Sequence, residues 1–402
     1  MSNPFSDPKN YIIIGCKPYY VSSLIDEFGN TIVKLVPWQR SQISIDMSYN
    51  LKKIRSIKHY TDMVCVPDNM NYSRVIGNSY NSYSPLPMVP SEGDCSHILD
   101  LFKHIFGEQY ELGLDYIELL YWKPKQTLPI LLLVSRERNT GKTTFLNFMN
   151  SFFGANMVIC PNSALSSKFN SYWAGKLIVG IDETFLETKK DTERLKDLST
   201  SKTVALEAKG KDTIFVDNYL KFILASNNIN VPVLIEPEET RYWVREVPKL
   251  EKDIPNFLEI LRSEIPAFMF YLKNRKPVLP EPLSRMWFPP EIIETQALKR
   301  IKQMCRPDDE VFLAEALLDV MKKHNLTTIK ATRGDILKFI EIHNIHIEKI
   351  RTILAKRWQL RAAYDNLSYE CYLFGRPEKK TGRYFTFRKE DIIKVIPEFS
   401  KE

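Results

Sequence analysis

Residues 128–145 read Leu-Pro-Ile-Leu-Leu-Leu-Val-Ser-Arg-Glu-Arg-Asn-Thr-Gly-Lys-Thr-Thr-Phe, and the fold depends on how that stretch is parsed. An apolar run ends at Val134, a polar loop follows, and Gly141-Lys142-Thr143 opens an amphipathic segment. Strand, loop and helix in that order make a P-loop, where backbone N–H groups at a helix N-terminus cradle phosphate oxygens. Asn139, Thr140, Gly141, Lys142, Thr143 and Thr144 are therefore the candidate nucleotide-binding residues. In such a loop the lysine reaches the β- and γ-phosphates and the threonine hydroxyl ligates Mg²⁺, so ATP and Mg²⁺ are the expected cofactors. Arg136 stands where the pattern G-x-x-x-x-G-K-[ST] has its first glycine. The loop is expected to work with a different first turn.

Downstream of the loop, strand-like and helical patterns alternate. Residues 157–159 and 177–181 are short apolar runs, the second ending in Asp182-Glu183, and residues 191–200 look helical. Residues 203–208 and 212–216 alternate in apolar character around Lys209-Gly210-Lys211, which predicts a β-hairpin. Residues 222–225 form a buried strand ending in Ser226-Asn227-Asn228, residues 242–247 form another, and a helix follows over 254–274. This alternation implies an α/β fold with a central, mainly parallel sheet and helices on both faces.

Upstream, Ile98, Leu99, Phe102, Ile105 and Phe106, then Leu114, Ile117, Leu120 and Tyr121, recur at helix spacing and predict two helices leading to the P-loop strand. Residues 11–14 are strand-like, and residues 19–38 read as two strands around a turn at Phe28-Gly29-Asn30. No close set of carboxylates there suggests a two-metal polymerase site, so primase chemistry is not expected from this region. Residues 78–91, rich in Asn, Ser, Tyr and Pro, and the proline-rich residues 276–290 read as linkers. Beyond them come short helices, then strand-like runs at 369–374 and 383–387 joined by the basic turn Arg376-Pro377-Glu378-Lys379-Lys380. Helices followed by such a pair suggest a winged-helix-like module. The expected organisation is an N-terminal α+β accessory region over 1–80, a helical collar or linker over 81–127, an ATPase core over 128–275, a proline-rich linker and helix over 276–307, and the winged-helix-like domain over 308–402.

A chain of 402 residues, 44% hydrophobic and 26% charged, has ample core for two or three domains. Its net charge of +7 permits a polyanionic partner without demanding one. Six cysteines lie far apart with no C-x-x-C pair, which argues against a structural zinc site or a disulfide framework and favours a reducing, cytoplasmic setting. The N-terminus lacks a basic segment followed by an apolar one, and no apolar run reaches the ~20 residues that span a bilayer, so neither secretion nor membrane insertion is expected.

Hydrolysis of a phosphoanhydride needs a phosphate cradle, a metal, an activated water and a positive charge for the transition state. Asp182 and Glu183 at a strand end suit the second and third needs, Asp182 toward the metal and Glu183 toward the water. Asn227, at the tip of another strand, can orient the water without competing as a nucleophile. Arg241 can serve as a finger on a neighbouring subunit's nucleotide, and Arg245 is its rival. Lys209 and Lys211 place two cations on a tight turn, where they can follow the phosphates of one nucleic-acid strand.

Taken together these residues resemble the superfamily 3 helicases, AAA+ ATPases of viruses, phages and mobile elements, in particular the phage and plasmid primase-helicase proteins related to the poxvirus type. The resemblance rests on Ser-Arg-Glu-Arg-Asn-Thr-Gly-Lys-Thr-Thr, Leu-Ile-Val-Gly-Ile-Asp-Glu, Glu-Ala-Lys-Gly-Lys-Asp and Phe-Ile-Leu-Ala-Ser-Asn-Asn, in the family's order within roughly 110 residues, followed by Thr-Arg-Tyr-Trp-Val. It covers about residues 75–275 well and the flanks loosely. It implies a homohexameric ring that hydrolyses ATP between subunits and travels on single-stranded DNA, usually 3′ to 5′, with a separate primase and a replication initiator, in the cytoplasm of a bacterial host. By position it makes Lys142 and Thr143 the nucleotide and metal contacts, Asp182 and Glu183 the acidic motif, Asn227 the sensor, Lys209 and Lys211 the DNA contacts and Arg241 the finger. Two other readings share the P-loop: a nucleotide-controlled DNA-binding or loading ATPase that does not unwind, and an inactive scaffold ATPase.

Overall fold

The computed structural model describes residues 4–25, 31–167, 169–186, 188–207, 213–252, 254–305, 308–342 and 350–393. Two compact units divide the chain, Met1–Val233 with Arg241–Leu298, and Leu234–Thr240 with Lys299–Glu402. The first unit opens with an antiparallel meander, β1 (Tyr11–Ile14), β2 (Lys17–Ile25) and β3 (Thr31–Pro37). Then come α1 (Arg40–Asp46), α2 (Leu51–Arg55) and β4 (Lys58–Tyr60), which lies parallel to β1 and completes the order β3-β2-β1-β4. Side chains alternate between faces along a strand. Tyr11 and Ile13 accordingly pack with Ile43 of α1 and Ile54 of α2, while Ile12 and Ile14 face Tyr60 and Tyr80.

β5 (Met63–Val64), β6 (Val75–Ile76) and β7 (Ser79–Asn81) form a further small sheet. The expected linker at 78–91 thus starts as a strand and is packed, not loose. The Asn81 carboxamide is buried, accepting from the Val66 and Tyr83 N–H groups and donating to the Val66 and Ser73 carbonyls. Tyr83 is buried with its hydroxyl on Asn69. Here turn-forming residues satisfy backbone groups in an extended segment, which composition alone does not distinguish from a loop.

α3 (Ser96–Phe106) and α4 (Tyr110–Trp122) lead to β8 (Ile130–Val134) and α5 (Lys142–Phe153), as the helix-spaced residues predicted. The chain continues through β9 (Met157–Cys160), β10 (Ile178–Ile181), α6 (Lys189–Leu198), the hairpin strands β11 (Thr203–Leu206) and β12 (Ile214–Asp217), β13 (Lys221–Ser226) and β14 (Tyr242–Glu246). Five of these strands make one sheet in the order β14-β8-β13-β10-β9, parallel throughout. Every residue of β8 and β13 is buried, as strands covered on both faces require. Over one face, Phe102 of α3, Phe145 and Phe148 of α5 and Phe268 of α7 (Phe257–Asn274) form an aromatic cluster with ring centroids 5.3–6.1 Å apart.

The proline-rich stretch after α7 is also packed, contrary to its reading as a linker. Arg275 donates to Asp115 at 2.5 Å and to Glu118 at 2.9 Å, and Asp115 also accepts from the N–H groups of Val278 and Leu279. Met286, Trp287 and Phe288 are buried, and Phe288 lies against Tyr116 and Trp243. Prolines here fix an extended path over the core. α8 (Pro290–Ile293) and α9 (Gln296–Met304) then carry the chain out of the first unit.

The second unit holds α10 (Asp308–Lys323), β15 (Thr328–Thr332), α11 (Arg333–Ile342), a short α12 (Ile350–Thr352) with a π-turn at Ile353–Arg357, then β16 (Leu367–Cys371), β17 (Glu378–Gly382), β18 (Tyr384–Arg388) and α13 (Lys389–Ile393). The expected pairing of 369–374 with 383–387 is not observed. β16 pairs with β17, the segment read as a basic turn, and β18 pairs with β15. Gly375, at φ +84°, lies within the connection between β16 and β17. Lys380 of β17 donates at 2.7 Å to Asp335 of α11, which also accepts from the hydroxyls of Thr332 and Tyr369. Burial opposes charge on Asp335, yet the bonds from Lys380, Thr332 and Tyr369 hold its carboxyl down to about 2.

Candidate functional site

β8 ends at Val134, and the next seven residues form the loop to α5. Asn139 adopts φ +57° and Gly141 φ +82°, two left-handed residues bracketing Thr140. Gly adopts this conformation freely, and Asn is among the few other residues that do so readily. Backbone alternating between left- and right-handed turns is the geometry of an anion nest. The loop is held from two sides: the Asn139 carbonyl accepts from Leu250 N–H, and the Thr140 carbonyl accepts from His104 Nε2 of α3 at 3.1 Å. At the other end of α3, His97 Nδ1 meets Glu264 Oε1 of α7 at 2.5 Å, and the same carboxylate accepts from Ile98 N–H.

Arg136 is not among the left-handed residues; its side chain is exposed, with its guanidinium 3.9 Å from Glu246. The left-handed residues of the loop are Asn139 and the motif's second glycine, Gly141.

A cavity of about 550 Å³ sits over this loop at the C-terminal edge of the sheet. Residues 138–144, Asp182, Glu183, Ser226 and Asn227 border it, with Lys249 and Leu250. Lys142 is buried and donates to Thr140 Oγ1 and Asn227 Oδ1, each at 3.0 Å, and to Ser135 Oγ. Burial pushes the Lys142 pKa down, and the Asp182 charge opposes that shift. Thr143 Oγ1 donates to Asp182 Oδ2 at 2.8 Å.

Glu183 follows at φ +54°, a conformation that costs an ordinary side chain on the order of 1–3 kcal/mol. The surrounding bonds maintain it. Thr184 Oγ1 donates to the Ile181 carbonyl, Thr184 N–H to Ala225 and Ser226 Oγ to the Thr184 carbonyl, fastening the end of β10 to the end of β13. Of the two adjacent asparagines, Asn227 faces Lys142, whereas Asn228 accepts from the N–H groups of Asn230 and Val231 and closes a local turn.

Lys142, Thr143, Asp182, Glu183 and Asn227 thus meet at one cavity. Arg241 does not join them. Its carbonyl accepts from Ile130 N–H at the start of β8, so it lies at the opposite edge of the sheet, one strand length or roughly 16 Å from the loop. It lies beside α6, where a bond from Lys196, with lesser help from Lys189 and Arg241, holds the Glu193 carboxyl below its ordinary range. Arg245 is buried and bonded to Glu108 at 2.7 Å and to Gln109 at 2.9 Å within its own chain. Lys209 and Lys211 lie outside the described residues, although the strands flanking them, β11 and β12, pair as the hairpin pattern predicted. Sequence reasoning missed Ser135, Lys249 and His104. Only Ser135 sits within the loop motif; the other two belong to segments whose approach to the loop no local pattern announces.

A family model described only as a family of unknown function, DUF5906, matches residues 133–242, the stretch from β8 to the start of β14. A DNA primase-polymerase of Nitratiruptor phage NrS-1 is 27% identical over 161 residues, 39% of this chain. The match spans only 22% of that protein's length. Two apo structures of the NrS-1 C-terminal region superpose with TM-scores of 0.61. One covers 90% of this chain and 96% of that chain at 17% identity; the other covers 94% and 99% at 16%. This chain therefore shares its mixed α/β fold with that region. Among the described residues, no helix is long and apolar enough to cross a membrane.

Proposed function

We propose that the chain is an ATP-hydrolysing motor of phage or mobile-element DNA replication, a helicase of the superfamily 3 type with a P-loop AAA+-like core and a winged-helix-like module. The observation that carries this reading is the meeting of Lys142, Thr143, Asp182, Glu183 and Asn227 at one cavity on the C-terminal edge of a parallel sheet. Similarity to a phage DNA primase-polymerase supports the replication setting.

ATP and Mg²⁺ fit the residues present. The left-handed loop and the N-terminus of α5 suit phosphate oxygens, and Lys142 supplies a cation beside them. A hydroxyl and a carboxylate 2.8 Å apart are the hard oxygen donors that Mg²⁺ takes together with substrate phosphates. Mg²⁺ held by Thr143 and Asp182 would neutralise charge on the phosphates. Asn227 orients the attacking water, Glu183 accepts its proton, and Lys142 stabilises the charge that builds on the phosphoryl oxygens. Arg241 acts on the nucleotide of a neighbouring copy in a homohexamer, and Lys209 and Lys211 follow single-stranded DNA. Priming and origin recognition come from a primase and an initiator distinct from this ATPase, in a bacterial cytoplasm.

The test is ATP turnover with and without single-stranded DNA, together with unwinding of a forked duplex. Stimulated turnover and strand separation are expected, and Lys142→Ala should lower turnover by at least ~100-fold. Turnover indifferent to DNA together with an intact fork overturns the helicase reading. Stimulated turnover with an intact fork favours the loading ATPase.

A further inference from the structure

The first unit carries a second concave site, built from the N-terminal layer, which takes no part in the cavity over the loop. It is a groove of about 540 Å³, lined mainly by the face of the antiparallel layer that carries Ile12 and Tyr60, with Tyr11 and Ser56 at its border. Ile12, Val21 and Val33 give it an apolar floor, and Tyr60 and Tyr80 form a wall. Lys9, Lys58 and Arg74 border it, and among the described residues no carboxylate does.

Arg74 and Lys58 are positioned without being neutralised. Arg74 donates to the Asn81 and Tyr83 carbonyls at 3.0 and 3.2 Å, and its guanidinium lies 5.2 and 5.3 Å from the ring centroids of Tyr72 and Tyr80. The Lys58 ammonium lies 5.4 Å from the Tyr60 ring centroid. Aromatic faces and neutral carbonyls hold a cation in place but leave its charge for an outside anion. Among the described residues, none of the three cations forms an ion pair.

We infer that this groove holds one nucleotide unit of single-stranded DNA, its base against the apolar floor and its flanking phosphates on Lys9 and Lys58. The volume falls within the range that takes small organic ligands. An unpaired base offers the flat apolar face that such a floor buries, which a duplex keeps stacked inside. The choice of DNA rests on the function proposed above; the groove itself needs neither the P-loop nor ATP.

The experiment uses the full chain, a thymidine oligonucleotide carrying photoreactive thymines, and peptide mapping of the cross-links, without added nucleotide. Cross-links are expected on the peptides bearing Ile12, Val21 or Tyr60, in the wild type and equally in Lys142→Ala. The double substitution Lys9→Ala, Lys58→Ala removes exposed side chains, so the thermal midpoint and DNA-independent ATP turnover should hold. It should abolish these cross-links and lower the slope of log affinity against log salt by about 1.4, the value for two lost single-strand phosphate contacts. Cross-links only elsewhere, or an unchanged slope, overturn the inference. So does protection of the groove by free ATP but not by unlabelled oligonucleotide, which would make it a mononucleotide site, or by an acidic peptide alone. Groove cross-links on a protein that neither hydrolyses ATP nor unwinds forks would overturn the proposed function and leave this site standing.

Discussion

Asn139 takes a backbone conformation that few residues other than glycine adopt readily. Its φ of +57° suits Asn or Gly and excludes a β-branched side chain, for which the left-handed region is an outlier. Arg136→Gly should therefore change ATP turnover little, because Arg136 is exposed and does not border the cavity. Asn139→Val should weaken nucleotide binding by roughly tenfold, the equivalent of the ~1–2 kcal/mol that a left-handed residue of this kind costs, while Asn139→Gly binds normally. Nucleotide titration of the three variants measures this; normal binding by the valine variant would remove Asn139 from the loop's design. Gly141, Lys142 and Thr143 were legible because three residue types at fixed spacing carry one chemistry. Asn139 was legible as a member of the loop but not as its hinge, since Asn serves many local purposes.

At the scale of elements, the parallel strands were readable because strands buried on both faces are continuous apolar runs, as at 130–134 and 222–225. Pairing was less readable. A run such as 383–387 states that it is a strand but not which neighbour it takes, and in the second unit Lys380 and Asp335 help decide that. The proline-rich and Asn-rich stretches misled for a related reason: the groups that pin them, Asp115 in one case and Val66 and Ser73 in the other, lie outside the stretches themselves.

The Asp335 cluster makes a pH prediction. Its carboxyl is held at about 2, below the ordinary 3.8, so its contribution is full above pH ~4 and fades as the pH falls through about 2. Asp335→Asn should lower the thermal midpoint at pH 7, and the gap from the wild type should close as the pH drops toward 2. A gap that persists at pH 2 would mean that packing, not the charge, holds β17 beside β16.

For the whole molecule, the separation of Arg241 from its own cavity matters most. A side chain at the opposite edge of the sheet cannot reach the cavity over its own loop, while Arg245 is committed to Glu108 and Gln109. Arg241→Ala should therefore bind ATP normally yet lose turnover, on the order of a thousandfold for a finger of this kind. Mixing it with Lys142→Ala subunits should restore part of the activity, because each copy supplies what its neighbour lacks. Two inactive proteins that stay inactive when mixed, under conditions where wild-type subunits exchange, would place the finger elsewhere.

The helix α3 has an imidazole bonded at each end, His97 to Glu264 of α7 and His104 to the carbonyl of Thr140. Its position and the conformation of the loop before α5 are thus linked through that bond, and such linkage runs in both directions. Under the proposed function, whatever draws α3 toward α7 would alter the free energy of phosphate binding, and phosphate binding would alter by the same amount the free energy of moving α3. Because the His104 bond ends on a backbone carbonyl, its nitrogen must carry a proton, which fixes the tautomer whenever the ring is neutral. If the cavity holds a nucleotide as proposed, α3 would share in its state without contributing an atom to the cavity.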